Sequence, residues 1–214
     1  MELKRIILAD DHGFIRLGLK HILKSEFPDA YILDVADGDA LVKEVTENDW
    51  DLVLTDLDME GKNGFEALQD IRQIKPNIPV LVLSVFPEEL YAVRMLKAGA
   101  AGYLNKTSSP KELIAAIHRI QIGKKYITPE IAERLIESKE DMRPHELLSN
   151  REFEIFKQIA SGRTLSQIAQ SLDLALSTVS TYRGRILEKL KVTTNAELTR
   201  YAIANKLTHN DYLD

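Results

Sequence analysis

The chain has 214 residues, of which 44% are hydrophobic and 29% charged, and its formal net charge is −5 at pH 7. This balance is typical of an ordinary globular protein, and the length suffices for one large domain or two small ones. No run approaches the roughly 18 apolar residues of a membrane span, and the charged MELKR start lacks a signal-peptide core, so we expect no membrane association and a cytoplasmic location. The absence of cysteine excludes disulfides and thiolate metal sites.

The charge is distributed unevenly along the chain. Residues 1–144 carry 19 Lys and Arg against 25 Asp and Glu, whereas residues 145–214 carry 9 against 8, so the formal charges are −6 and +1. This asymmetry indicates two domains with different tasks. The overall excess of acid argues against nucleic-acid binding over the whole surface.

The first half alternates short apolar runs with amphipathic stretches. We predict strands at residues 4–9, 31–36, 51–55, 79–84 and 100–104. Helices are predicted between them, among others at residues 13–26, 64–74, 88–98 and 111–122. Because the runs LVLT and VLVLS are apolar up to their last residue, their strands should be buried on both faces, as in a doubly wound parallel α/β sheet of five βα units.

Polar side chains stand where these predicted strands end. Asp10 and Asp11 follow the first strand, Asp56 the third, Ser84 closes the fourth, and Lys106 follows the fifth. Ligands of open α/β sheets bind at the carboxyl ends of the strands. Clustered carboxylates favour a bound cation, and an all-oxygen set suits Mg²⁺ with a phosphate. Each residue alone could be a helix cap or a solvated charge, so their joint spacing is what predicts a site.

The sequence of the second half predicts helices and no strands. We predict a linker with a helix at residues 125–146, in which Thr128 caps the helix, Pro129 occupies its first turn, and the SKEDMRPHE segment is polar. Further helices are predicted near residues 150–160, 165–172, 176–190 and 195–205. The caps expected for the first and last of these are Ser149 or Asn150, and Thr194 or Asn195.

The chain resembles bacterial two-component response regulators of the LuxR/NarL type over nearly its whole length. The strand-end residues carry the resemblance in the first half, and LSNREFEIFKQIASGRTLSQIAQSLDLALSTVSTYRGRILEKL carries it in the second. It implies a receiver domain at residues 1–124, with a flavodoxin-like sheet of strand order 2-1-3-4-5, and a LuxR-type helix-turn-helix domain at residues 147–214. The function it implies is a phosphorylation-activated DNA-binding transcription regulator, not an enzyme, served by a sensor histidine kinase.

The resemblance also implies roles around the phosphorylation site. Asp56 would be the phosphoacceptor, Asp11 a direct Mg²⁺ ligand, Asp10 an outer ligand through water, and the backbone carbonyl of Asp58 a third protein ligand. A carboxylate suits this role, because phosphoryl transfer depends mainly on in-line positioning and charge neutralisation.

Three further residues complete the implied switch. Lys106 would supply positive charge, the hydroxyl of Ser84 would move to a phosphoryl oxygen, and the ring of Tyr103 would turn inward in response.

Three positions depart from the usual receiver pattern. Glu60 stands where proline is common, Asp58 places an acidic side chain beside the phosphoacceptor, and Val85 follows the switch serine where a small residue is usual. We expect these departures to affect phosphoryl lifetime or access of the kinase.

The recognition helix of the helix-turn-helix falls at residues 176–190, and Val179, Ile186 and Leu190 on one of its faces are expected to be core. Its predicted DNA-binding residues are Ser177, Thr178, Ser180, Thr181, Tyr182, Arg183, Gly184, Arg185 and Lys189. Of these, Ser177, Ser180, Thr181 and Gly184 are expected to face the groove of double-stranded DNA, and Tyr182, Arg183, Arg185 and Lys189 to lie near the phosphates. Arg183 or Arg185 could read guanine, and the simpler alternative is a solvated helix face.

The last predicted helix has an apolar stripe through Leu198, Tyr201, Ala202 and Leu207. Packing within the domain uses part of such a stripe, and in similar proteins the helix also forms the homodimer contact on DNA.

Two other functions stay open. One is a phosphorylation-independent DNA binder whose receiver is a docking or dimerisation module. The other is a Mg²⁺-dependent phosphatase with Asp56 as a transient nucleophile.

Overall fold

A computed structural model describes residues 3–59, 61–136, 143–205 and 207. The chain divides into two units, Met1–Ile136 and Glu137–Asp214. Among the described residues, no helix is long and apolar enough to cross a membrane.

The first unit is built on one parallel sheet. Its strands are β1 (Arg5–Ala9), β2 (Tyr31–Val35), β3 (Leu52–Asp56), β4 (Val80–Ser84) and β5 (Gly102–Asn105), in the order β2-β1-β3-β4-β5. Every residue of β3 and β4 is buried, as expected for strands covered on both faces. The register pairs Asp56 with Leu83 and Ser84 with Asn105, so the polar ends of β3, β4 and β5 lie at one edge. The predicted fold class and strand order are confirmed.

Helices connect the strands and cover the sheet. They are α1 (Gly13–Glu26), α2 (Gly38–Glu47), α3 (Gly64–Ile74), α4 (Glu88–Lys97) and α5 (Pro110–Gln121). Local chemistry sets their starts: the side chains of Asn63 and Ser109 each accept a backbone N–H in a capping box, and Pro110 occupies the first turn of α5. Gly64 begins α3 because any Cβ there would collide with the carbonyl of Asp56. The start of α3 thus lies directly against the end of β3.

A sixth helix, α6 (Pro129–Ile136), also belongs to the first unit. The segment before it continues the sheet, since the N–H of Tyr126 donates to Ala101 O at 2.8 Å and Tyr126 bridges Gly102 in parallel. The helix then packs against α4, with Ile131 buried and the hydroxyl of Thr128 donating to Glu88 Oε1 at 3.2 Å. The part of the expected linker that carries its helix therefore belongs to the first unit. Residues 137–142 of the polar segment lie outside the described residues.

The second unit is helical wherever it is described. A short 3₁₀ helix (Pro144–Leu147) precedes α7 (Asn150–Ala160), α8 (Leu165–Ser171), α9 (Leu176–Leu190) and α10 (Asn195–Ala204). Ser149, Thr164 and Thr194 close capping boxes at the starts of α7, α8 and α10. Of the alternative caps, Ser149 and Thr194 are the ones used. The helix-turn-helix consists of α8 and α9, whose buried residues include Ile168, Val179, Ile186 and Leu190.

Candidate functional site

The carboxyl edge of the sheet brings Asp10, Asp56, Ser84 and Lys106 together. The first three residues are at most 3% exposed, although each carries a polar group. The ammonium Nζ of Lys106 lies 2.6 Å from Asp56 Oδ2 and 2.6 Å from Asp10 Oδ2. A buried cation is thus shared by two carboxylates that follow different strands, an arrangement that offsets their mutual repulsion.

The environment shifts the pKa values of this group. Burial raises the pKa of Asp56 above its usual 3.8, and the Asp10 carboxylate adds to the rise, while Lys106 partly offsets it. For Lys106, burial alone would lower the pKa, but the two carboxylates together raise it. Lys106 therefore remains charged, whereas ionisation of the Asp56 carboxyl costs free energy in the folded state.

The same edge offers ligands for a metal ion. Asp10, Asp11, His12 and Asp56 each place one potential ligand atom within 4.8 Å of the others. Three of these are carboxylates, the donors that Mg²⁺ prefers, so the residues fit that cation. His12 was not predicted from the sequence; its Nδ1 lies 2.6 Å from Asp11 Oδ1 and 3.3 Å from Asp10 Oδ1. Its position directly after the acidic pair was the one available signal.

A cavity of about 390 Å³ opens at this edge. It is lined by Asp11, His12, Ile15, Asp56, Asp58, Met59, Val85 and Lys106. The N–H of Asp58 donates to Asp56 Oδ1 at 3.3 Å, and the Asp58 residue is exposed. Val85 is 46% exposed. Two of the three positions that depart from the usual receiver pattern, Asp58 and Val85, therefore line the cavity with exposed side chains. The third, Glu60, lies outside the described residues.

Ser84 and Tyr103 are linked through the backbone of Phe86. The N–H of Phe86 donates to Ser84 Oγ at 3.1 Å, and the hydroxyl of Tyr103 donates to Phe86 O at 2.9 Å. The Tyr103 ring is 1% exposed and already points inward in the unmodified chain, which differs from the expectation that it turns inward only on phosphorylation. The ring of Phe86 stacks on Tyr91 of α4 at 4.8 Å. A movement of the Ser84 hydroxyl would therefore reach Tyr103 and α4 through one residue.

In the second unit, α9 presents most of the predicted DNA-binding residues to solvent. The exposed ones are Ser177, Ser180, Thr181, Gly184, Arg185 and Lys189, and the half-buried ones are Thr178, Tyr182 and Arg183. Arg183 Nε donates to Asn195 Oδ1 at 2.6 Å, and the Arg185 guanidinium lies 5.9 Å from the centre of the Tyr182 ring. Both arginines are thus oriented by neighbours on the exposed face.

Lys189 has a partner that the sequence does not predict. Its Nζ lies 2.6 Å from Oε2 of Glu152, which is 3% exposed, and the N–H of Ser149 donates to the same oxygen at 2.6 Å. Burial would raise the pKa of Glu152, but the bonds from Lys189 and Ser149 lower it. A buried carboxylate needs such partners. The ion pair between Lys189 and Glu152 therefore links α9 to the first turn of α7.

The apolar stripe of α10, with Leu207 just beyond the end of the helix, faces the interior of the second unit. Leu198, Ala202 and Leu207 are at most 2% exposed, and the Tyr201 hydroxyl lies 3.0 Å from Nδ1 of the buried His145. Packing within the unit thus accounts for the stripe. The large apolar side chain that α10 leaves exposed is Ile203, at 56%.

The two units together define a receiver-type sheet followed by a helix-turn-helix, and comparisons with known proteins agree. Residues 6–118 match the family model described as response regulator receiver domain, and residues 146–202 match bacterial regulatory proteins, luxR family. The chain belongs to the response regulators, and it combines a receiver domain with a LuxR-type DNA-binding domain.

Curated relatives span the whole chain. The response regulator UvrY of Escherichia coli (strain K12) is 32% identical over 212 residues, which cover 97% of both chains. The response regulator GacA of Pseudomonas aeruginosa is 34% identical over 204 residues, or 93% of this chain and 95% of GacA.

Solved structures share the fold. The response regulator ChrA of a heme-sensing two-component system is 30% identical, with a TM-score of 0.51 over 97% of this chain and 100% of ChrA. RcsB from Salmonella enterica serovar Typhimurium, bound to promoter rprA, has a TM-score of 0.71 over 93% of this chain and 98% of RcsB, at 24% identity. At that identity, the RcsB likeness concerns the fold alone.

Proposed function

We propose that Asp56 accepts a phosphoryl group from a sensor histidine kinase, and that this modification activates the chain as a DNA-binding transcription regulator. The observation that carries the proposal is the position of Lys106 Nζ, 2.6 Å from both Asp56 and Asp10, beside a cavity that Asp56 and Lys106 line. A buried cation beside a carboxylate that faces a cavity is what a phosphoryl acceptor needs.

Each residue of the edge has a role in this proposal. An oxygen of Asp56 attacks the phosphorus of the kinase's phosphohistidine, the P–N bond breaks and the imidazole leaves with the electron pair, and Lys106 neutralises charge on the transferred group. Asp11, Asp56 and the backbone carbonyl of Asp58 would hold Mg²⁺, with Asp10 acting through water. When bound, Mg²⁺ would supply further positive charge at the phosphoryl oxygens.

The phosphoryl group would then draw the Ser84 hydroxyl toward its oxygens. That movement breaks the hydrogen bond that the Phe86 N–H donates to Ser84 Oγ. Phe86 is also the residue whose carbonyl accepts the hydrogen bond of the Tyr103 hydroxyl. Loss of this geometry repositions Tyr103 and changes the surface formed by α4 and β5. The switch is therefore a two-state element biased by a local charge.

For the second unit, the proposal places α9 in the major groove of double-stranded DNA. Ser177, Ser180, Thr181 and Gly184 would meet base edges, with Arg183 and Arg185 at phosphates or guanine. Two chains would bind paired half-sites as a homodimer, and the exposed Ile203 side of α10 is the proposed contact.

The test is labelling of the purified chain by phosphoramidate in the presence of Mg²⁺. The phosphoryl adduct is detected by mass spectrometry of the intact chain. We expect a single phosphoryl adduct on the native chain and none on Asp56→Asn. Asp29→Asn is the matched control, because Asp29 is exposed and precedes β2 at the opposite edge of the sheet. Equal labelling of Asp56→Asn would remove Asp56 from this role.

The proposal also separates the chain from a phosphatase of similar fold. A phosphatase would release phosphate repeatedly from a small ester such as p-nitrophenyl phosphate. A regulator should keep a stoichiometric acyl phosphate on Asp56, and membership in a family of transcription regulators supports this outcome.

A further inference from the structure

His12 places an imidazole nitrogen among the carboxylates at the carboxyl edge of the sheet. Its Nδ1 lies 2.6 Å from Asp11 Oδ1 and 3.3 Å from Asp10 Oδ1, and its backbone N–H donates to the same Asp10 oxygen at 2.8 Å. The His12 side chain also lines the cavity, together with Asp11 and Asp56. One ring nitrogen and several carboxylate oxygens therefore meet at this cavity.

The buried lysine occupies only one oxygen of each buried carboxylate. Lys106 Nζ contacts Oδ2 of Asp10 and Oδ2 of Asp56. His12 instead faces Oδ1 of Asp10, and Oδ1 of Asp56 accepts the N–H of Asp58 at 3.3 Å. The lysine ammonium and a metal ion can therefore be held by different oxygens of the same two carboxylates.

The spacing of the potential ligand atoms suits one small cation. Each atom of the set lies within 4.8 Å of the other three, and the set comes from Asp10, Asp11, His12 and Asp56. Atoms bound to one cation at about 2.0 to 2.2 Å are at most roughly 4.4 Å apart, so small movements close the set. The His12 side chain is 63% exposed and makes no hydrogen bond that caps α1, so it can move without loss of the helix start.

We infer that His12 is a direct metal ligand, and that it shifts the preference of the site from Mg²⁺ toward divalent transition cations such as Co²⁺, Ni²⁺ and Zn²⁺. Imidazole nitrogen is a common ligand of those cations, whereas Mg²⁺ is held by oxygens and keeps several waters. His12 therefore contributes to the binding of Ni²⁺ and not to that of Mg²⁺. The inference rests on the proposed function for the position of the cation site, and it does not require phosphoryl transfer to Asp56.

The test is isothermal titration calorimetry of the chain, purified without a histidine tag, with nickel chloride and with magnesium chloride at one pH. For His12→Gln we expect the Ni²⁺ affinity to fall at least about tenfold, because loss of even an outer partner of a ligand typically costs about ten- to a hundredfold. The Mg²⁺ affinity should change less than about twofold. The readout is the ratio of the two dissociation constants.

A second histidine provides the matched control. His21 is exposed on α1, and among the described residues it belongs to no group of three or more potential ligands. His21→Gln should therefore leave both affinities unchanged. Excess Mg²⁺ should weaken the apparent affinity for Ni²⁺, because the two cations share Asp11 and Asp56. Fluorescence of the buried Trp50 checks that His12→Gln keeps the fold of the first unit.

The failures can be told apart. Equal Ni²⁺ affinity of the native chain and His12→Gln would overturn the role of His12 and leave the proposed function standing. Ni²⁺ binding that excess Mg²⁺ does not weaken would do the same, since the nickel would then lie elsewhere. Absence of labelling by phosphoramidate would overturn the proposed function, whereas a selective loss of Ni²⁺ affinity in His12→Gln would still establish the metal ligand.

Discussion

Lys106 Nζ lies 2.6 Å from Asp56 Oδ2, although 50 residues separate the two along the chain. Asp56 ends β3 and Lys106 follows β5, with β4 between these strands. The pair therefore spans the central part of the sheet edge, and Asp10 after β1 extends it on the other side. The acceptor site exists because a parallel sheet aligns the ends of separate strands.

Asp56→Asn should stabilise the first unit at neutral pH. Burial raises the pKa of Asp56, so its ionised form costs free energy in the folded state. The cost is fully present above the raised pKa and disappears as the pH falls toward the unfolded value near 4. We expect the metal-free variant to be more stable than the native chain by on the order of 1 kcal/mol at pH 7, and by less near pH 4.

Urea unfolding in a chelator, followed by fluorescence, measures this difference. The chain has a single tryptophan, and Trp50 is buried in the first unit, so the signal reports on that unit. A native chain more stable than Asp56→Asn at pH 7 would contradict the prediction.

Ser84→Ala should separate phosphorylation from its consequence. The variant keeps Asp56 and Lys106, so we expect labelling within about threefold of the native rate. It removes the hydroxyl that accepts from Phe86 N–H, and with it the proposed route to Tyr103, so DNA binding should no longer respond to a phosphodonor. Ser84→Thr retains a hydroxyl and should retain the response. Quantitative DNA binding with and without phosphoramidate checks both variants, and a full response by Ser84→Ala would exclude the hydroxyl from the switch.

Lys189→Met should weaken the second unit. The change leaves the buried Glu152 carboxylate with its hydrogen bond from Ser149 but without its cation. Because the Lys189 side chain is 39% exposed, solvent screening limits the loss in free energy of unfolding to about 1 to 2 kcal/mol. Hydrogen exchange of α7 and α9 amides should accelerate by roughly five- to thirtyfold. Arg200→Met removes an exposed cation of α10 and should leave the exchange unchanged. Equal protection in Lys189→Met and the native chain would show that the pair contributes nothing.

Arg183→Ala should weaken DNA binding and reduce the steepness of its salt dependence. If the guanidinium contacts one phosphate, the slope of log K against log salt falls by about 1. Asn195 holds Arg183 Nε at 2.6 Å, so Asn195→Ala should weaken binding less and keep the slope. Filter binding or fluorescence anisotropy at several salt concentrations measures both. An unchanged slope in Arg183→Ala would count against a phosphate contact.

Hydrophobic periodicity predicted most of the fold and the meeting of the site residues. Each predicted strand lies within two residues of the observed one, because runs such as LVLT and VLVLS are apolar until a polar residue ends them. The meeting of Asp10, Asp56 and Lys106 then follows from parallel alignment alone. Such patterns describe which face of an element is buried.

Side-chain partnerships between distant elements could not be read from the sequence. Lys189 and Glu152 are 37 residues apart, and both look like solvated charges in their own helices. The same holds for α6, whose amphipathic pattern shows that one face is buried but not that α4 covers it. His12 beside Asp11 is a third case, since a histidine at the N-cap of a helix has many roles.

The most direct test of the account is DNA binding to genomic fragments by the native chain and by Asp56→Asn, each with and without phosphoramidate and Mg²⁺. We predict that the phosphodonor strengthens binding at least about tenfold for the native chain, which is within the range of ordinary coupling energies, and leaves Asp56→Asn unchanged. Equally tight binding by both chains, whether or not the donor is present, would contradict phosphorylation control and make the receiver a docking module.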